Sequence, residues 1–155
     1  MKFKLRTRDL GWNKIVKAIR ASAGGTVLDV GVFDTGQPRQ GAQATNAEIA
    51  LVHEFGSPAA GIPERSFLRS TIDAHRARYT AAIKKIAAQA LKGKDTYTAM
   101  NLLGMAAAAD VKRTIQQGVA PPLQPETIAR KGSSKPLIDT GQLITSITWR
   151  LFRVP

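Results

Sequence analysis

Residues 63–117 carry a helix-forming pattern with one interruption, Lys92-Gly-Lys-Asp95. Before it, Leu68, Ile72, His75, Tyr79, Ile83, Ile86 and Ala90 recur at spacings of three and four. After it, Met100, Leu103, Ala107, Val111 and Ile115 do the same. That period places each set on one helical face. Gly93 stops the first helix, Asp95 caps the second, and Gly118 ends it. Pro63 suits a first helical position, where its missing N–H costs nothing. The spacing predicts helices over about 63–92 and 95–117, the first roughly 40–45 Å long at ~1.5 Å per residue. A linker this short folds the two back into a long antiparallel hairpin. Within the second helix, Gly104 to Ala109 is nearly free of bulk, so a neighbouring backbone can come close.

The segments outside the hairpin are shorter and more heavily punctuated. Asp9 to Ala21 reads as a helix, with Leu10, Trp12, Ile15 and Ile19 on one face and Gly24-Gly25 after it. Thr26 to Phe33 alternates as a strand, with Leu28, Val30 and Val32 on one side. Residues 34–45 are rich in Gly and Gln, and 119–136 in Pro. Both read as mobile loops, the second holding a helical turn from Pro125 to Lys131. Between them, Thr45 to Phe55 reads as a helix with capping-box spacing at Thr45 and Glu48. Its expected apolar stripe is Ile49, Val52 and Phe55. Gly56 is placed for a left-handed end and Pro58 bars continuation. Near the C-terminus, a short helix capped by Asp139, with Gln142 at its third position, leads into a strand. There Ile147, Trp149 and Leu151 alternate with Thr148 and Arg150. Two strands separated by helices predict an α+β fold: a small antiparallel or mixed sheet packed by helices, in one domain over 1–155.

Charge bears on partners. Lys+Arg number 23 against 11 Asp+Glu, a formal +12. Such an excess favours a polyanion or simply keeps the protein soluble. The densest basic run is Lys2, Lys4, Arg6 and Arg8, whose period of two would align all four on one face of an extended segment as a candidate DNA-facing strip. Aromatic residues make up 6% of the chain, too few for a base-stacking platform, so any nucleic-acid contact would be electrostatic and blind to sequence. No apolar run approaches the ~18 residues of a membrane span.

Catalytic and metal signatures fail on inspection. His53-Glu54 opens an HExxH pattern, but the second imidazole would have to stand at position 57, which is Ser57. With no cysteine there is no thiolate ligand or nucleophile. P-loop, G-x-G-x-x-G and G-x-S-x-G motifs are absent. The residues point to no enzyme, cofactor or metal.

Three ordered segments carry a resemblance. They are NAEIALVHEFGS (Asn46 to Ser57), IPERSFLRSTI (Ile62 to Ile72) and KPLIDTGQLITSITWRL (Lys135 to Leu151). Together they resemble the tail-completion and virion-morphogenesis proteins of long-tailed bacteriophages, the neck or head-to-tail joining group, over about residues 26–153. That group has an A-x-x-x-E-F-G segment, then I-P-x-R-x-F-L-R, then K-P-L-x-D-T-G-x-L entering a strand. The motif positions here are Glu54, Phe55, Gly56, Pro63, Arg65, Phe67, Leu68, Arg69, Pro136, Leu137, Asp139, Thr140 and Gly141. The resemblance implies a non-enzymatic virion assembly protein, made in the host cytoplasm and built into the neck or tail end. It implies a homo-oligomeric ring around the DNA channel, with connector or stopper, tail terminator or tail-tube proteins as partners and non-specific contact with packaged DNA. The competing reading, from charge alone, is a sequence-independent nucleic-acid-binding module. A small hydrolase rests only on His53-Glu54. On the first reading, His53 to Arg69 aims a long helix, with Phe55 and Phe67 anchoring its two ends, and presents a joint for assembly; Pro63, Glu64, Arg65, Phe67 and Arg69 set its corner, either as a direct interface or as fold maintenance with Phe67 in the core and Arg65 and Glu64 as a local cap and ion pair.

Overall fold

A computed structural model describes residues 26–38, 41, 43–131, 134, 136–138 and 140–153. The basic run at 2–8, the expected helix over 9–21 and Asp139 lie outside the described residues. The elements in order are β1 (Thr26–Val32), α1 (Asn46–Phe55), a 3-10 turn (Pro58–Ala60), α2 (Leu68–Ala74), α3 (Arg76–Leu91), α4 (Tyr97–Gln117), α5 (Pro125–Lys131), α6 (Gln142–Ser146) and β2 (Ile147–Arg153). The fold is α+β.

β1 and β2 pair antiparallel, joining the first and last described elements. The register sets Leu28 opposite Leu151, Val30 opposite Trp149 and Val32 opposite Ile147. These pairs form the apolar face, as the alternation requires. Asp29 stands opposite Arg150 and accepts from its guanidinium at 3.2 Å, while Arg150 also stacks over Phe33 with 4.3 Å to the ring centroid.

α4 lies against this sheet and is the spine of the core. Its buried stripe runs through Gly104, Ala107, Ala108, Val111 and Ile115. Val111 and Ile115 meet Phe67, Leu143 and Ile147 in one cluster. The small residues act as expected. A Cβ on Gly104 would lie 2.5 Å from Trp149 Cδ1 and 2.6 Å from Leu28 Cδ1, so helix and sheet can approach this closely only at a glycine. Trp149 Nε1 donates to Asn101 Oδ1 at 2.8 Å, which satisfies the indole while its ring packs.

The helix hairpin forms, but its first arm differs from expectation. Residues 63–66 are not helical. α2 starts at Leu68, and the helix breaks at His75 (φ −106°, ψ 10°) before α3. Thr71 Oγ1 donates to the Phe67 carbonyl at 2.6 Å and lies 2.7 Å from Thr114 Oγ1 of α4. This ties α2 to the core, whereas α3 is held through Tyr79, whose hydroxyl donates to Asp110 of α4 at 2.7 Å. The expected stripe on α3 also thins out. Tyr79 is its buried residue, and Ile83 and Leu91 are half exposed. At the hairpin tip Asp95 accepts from the Tyr97 amide at 3.0 Å, one position before the N-cap Thr96.

Candidate functional site

The segment 53–69 is built around a turn and a carboxylate. The Thr45 capping box starts α1: Thr45 Oγ1 accepts the Glu48 amide at 3.2 Å, and Glu48 accepts the Thr45 amide at 2.7 Å. Gly56 ends the helix at φ 74°, ψ 172°, a positive-φ extended conformation and not the left-handed helical one that a C-cap glycine commonly takes. A Cβ there would stand 2.8 Å from the Glu64 amide nitrogen. The turn is closed by paired main-chain bonds between Ser57 and Ile62, at 2.8 and 3.0 Å, with Gly61 left-handed inside it.

The centre of the joint is Glu54, which is buried. Its carboxylate accepts from Ser66 Oγ (2.7 Å), the Phe67, Leu68 and Arg69 amides (2.9 Å each) and Arg69 Nε (3.0 Å). The first-turn amides of a helix have no partner within it. Phe67, the N-cap of α2, offers no side-chain acceptor. Glu54 therefore caps α2 from the end of α1, and its negative charge suits a helix N-terminus. This is why α2 starts at Leu68 and not at Pro63. Burial, the largest single influence, pushes the carboxyl pKa up, but the amide bonds from Leu68 and Arg69 and the side-chain bonds from Ser66 and Arg69 outweigh it, and the net shift is down.

Arg69 locks the arrangement from outside. Its Nη2 donates to the Glu54 carbonyl at 3.0 Å and to Glu64 Oε1 at 2.7 Å, and its guanidinium lies 4.6 Å from the Phe55 ring centroid. The Glu54 bond raises the Arg69 pKa most; partial burial opposes it, and the Glu64 and Glu54 charges add to it. Phe55 itself is 56% exposed, so it is a platform for Arg69 and not a core anchor. The buried residues of α1 are Ala50 and Glu54, because the polar hub sets which face of α1 turns inward. Phe67, 2% exposed, is a core anchor as expected. Arg65 and Glu64 do not pair: Glu64 bonds Arg69, and Arg65 turns inward.

Arg65 is 6% exposed. Its Nε donates to the Pro121 carbonyl at 2.8 Å and Nη2 to that of Pro122 at 3.2 Å, tying the joint to the proline-rich loop. Its amide donates to the His53 carbonyl at 2.7 Å. Two hollows flank it. A cavity of about 190 Å³ is lined by Arg65, His53, Thr127, Leu137, Thr140 and Gly141. A more open cleft of about 920 Å³ runs along Phe55, Gly56, Pro63, Glu64 and Pro121. The second and third motif segments thus meet beside one cavity, with Leu137 buried and at φ 63° and Gly141 the left-handed N-cap of α6. Pro136 is buried as well.

Glu54 is an acceptor in full use. A carboxylate offers about four lone-pair sites, and five donors already bind it, so no lone pair remains for a metal or a migrating proton. Among the described residues no group of three or more His, Cys, Asp or Glu side chains could hold a metal ion, and no helix is long and apolar enough to cross a membrane. No family model, curated protein or solved structure matches the chain.

One polar centre has no counterpart in the sequence reading. Asp110, 4% exposed on α4, accepts from Tyr79, from Arg113 Nη1 at 2.9 Å and from Arg78. The signal was a lone carboxylate in the run Met105 to Val111, on the flank of the apolar stripe and one turn from an arginine.

Proposed function

We propose that the protein is a structural virion assembly component of the neck or tail end of a long-tailed bacteriophage, working as a homo-oligomeric ring around the DNA channel. The observation that carries this reading is the convergence of the three ordered motif segments. Residues of HEFG and IPERSFLR form one saturated joint, and that joint shares a cavity with Leu137, Thr140 and Gly141. Its work is shape: a fixed angle between two helices and a fixed loop, as a subunit needs when it is placed repeatedly at one symmetry contact. Large apolar side chains left open, including Leu51, Tyr97, Leu102 and Met105, favour a chain that completes its burial against neighbours. Removing the gene from a producing phage should yield filled heads and separate tails, seen by electron microscopy. Normal joining of heads to tails without the protein would refute the proposal.

A second reading, a sequence-blind nucleic-acid contact, has one supporting observation. α3 and the turn after it expose Lys84, Lys85, Lys92 and Lys94, with no acidic residue between Ala74 and Lys94. Binding to duplex DNA that weakens steeply with salt, and weakens further when these lysines become glutamine, would favour it.

A further inference from the structure

We propose that the cavity beside Arg65 binds a small oxyanion, a carboxylate or phosphate group, as the counter-charge of the Arg65 guanidinium. Burial and pairing are inverted among the arginines. Arg69, Arg78, Arg113 and Arg150 have side chains 50–60% exposed, and each pairs with a carboxylate. Arg65 is 6% exposed, and among the described residues no carboxylate lies within ion-pair distance of it. Glu54 and Glu64, the acids of the same joint, are both engaged by Arg69. Water stabilises the exposed arginines without help, whereas a guanidinium withdrawn from water needs an opposite charge.

Its bonding leaves capacity for one. A guanidinium has five N–H donors. Two main-chain carbonyls take Nε and one Nη2 proton, and they bring partial charge only. Burial pushes the Arg65 pKa down, yet an arginine stays protonated throughout. The cavity it lines is partly apolar, walled by Ile49, Leu123, Leu137 and Leu143, with the Thr127 side chain also on its rim. Low polarity around a cation strengthens its bond to an anion. At about 190 Å³ the cavity exceeds the ~30 Å³ of a single water and falls short of the roughly 300–1,000 Å³ of sites for drug-sized ligands. A carboxylate or phosphate head fits that range, and guanidinium geometry matches either one in a forked pair.

The oxyanion has two sources, a free anion or an acidic side chain of a second copy. The test titrates sodium phosphate and sodium acetate into the intact protein at constant ionic strength, with chloride as balance. Readouts are the melting temperature, the Arg65 Nε–H resonance and the sedimentation coefficient. A saturable rise in melting temperature, with the Arg65 resonance moving under phosphate and not under chloride, is expected. Arg65→Lys should lower the apparent affinity about ten-fold, since it loses the forked pair. If Arg65→Lys folds poorly, Thr127→Val, which keeps the guanidinium and alters the cavity wall, should still weaken the response. Dissociation of oligomers by both anions assigns the source to a second copy, and saturation of a monomer assigns it to a free anion. An unmoved Arg65 resonance, or identical titrations for wild type, Arg65→Lys and Thr127→Val, would overturn the proposal.

Discussion

The joint at 53–69 and the packing of α4 each contain one buried carboxylate and one tightly confined glycine, yet they are built differently. Glu54 is bonded by three main-chain amides, and Gly56 is confined by the Glu64 main chain. Asp110 is bonded by the side chains of Arg78, Tyr79 and Arg113, and Gly104 is confined by the side chains of Trp149 and Leu28. Backbone cannot rotate away when its partner is lost, whereas side chains can. The joint should therefore be brittle and the hairpin tolerant.

The carboxylates give the largest expected contrast. Glu54→Ala strands the first amides of α2 inside the protein together with a half-exposed guanidinium. Each unsatisfied buried donor costs about 1–3 kcal/mol, so a loss of about 3–5 kcal/mol is expected from urea midpoints. Asp110→Ala leaves the buried Tyr79 hydroxyl alone, but Arg78 and Arg113 are more than half exposed and turn to water. The expected loss is about 1–3 kcal/mol. Equal losses would break the distinction.

The glycines sharpen it. Gly56→Ala adds a Cβ against main chain at a positive φ, so strain and clash combine; a loss of about 2–4 kcal/mol is expected. Gly104→Ala meets an indole and a leucine methyl that can shift, and alanine favours the helix by about 1 kcal/mol. A net loss of about 1–2 kcal/mol is expected there, with altered Trp149 fluorescence as a local signature.

Acid separates the two regions by charge. The Glu54 pKa is depressed below that of an unfolded glutamate, about 4.3, with burial opposing the shift and the amide, Ser66 and Arg69 bonds outweighing it. Its contribution is then fully present above that range and is lost as pH falls through the lower folded value. The stability gap between wild type and Glu54→Gln should be constant from pH 7 to 5 and narrow towards pH 3. A gap unchanged across that range would mean that hydrogen bonding without charge carries the joint.

The same contrast explains what the sequence disclosed. The Thr45 capping box, the alternation in both strands and the small residues around Gly104 are local patterns, and each appears as read. α2 starts five residues after the expected Pro63: the rule for proline assumes that a helix caps itself, while here the cap comes from Glu54, fourteen residues before Leu68. Spacing marks Glu54 as a motif position but does not reveal that the motif works by bonding amides. The bond from Tyr79 to Asp110 is not legible for the same reason, since the two are 31 positions apart and meet only when the hairpin closes. The inward turn of Arg65 depends on carbonyls 56 and 57 positions away, so adjacency suggests a pairing with Glu64 that does not form.

Phe55 gives the smallest effect and the closest test of how the joint holds. Helical spacing placed it with Ile49 and Val52 as an anchor, and a buried phenylalanine truncated to alanine loses about 3–5 kcal/mol. The structure leaves Phe55 more than half exposed beneath Arg69. A cation over an aromatic face at an exposed site contributes about 0.5–1 kcal/mol. Arg69 keeps its bonds to both glutamates when the ring is gone. Phe55→Ala should therefore cost less than about 1 kcal/mol, and Phe55→Leu, which fills space without a π face, should cost nearly the same. In a background of Glu54→Ala the ring loses its positioned guanidinium, and the Phe55→Ala penalty should shrink towards zero, the sign of a coupled pair in a double-mutant cycle. A penalty of several kcal/mol for Phe55→Ala alone would mean that the ring is buried in the working state, which for an exposed side chain requires a neighbouring surface over this face.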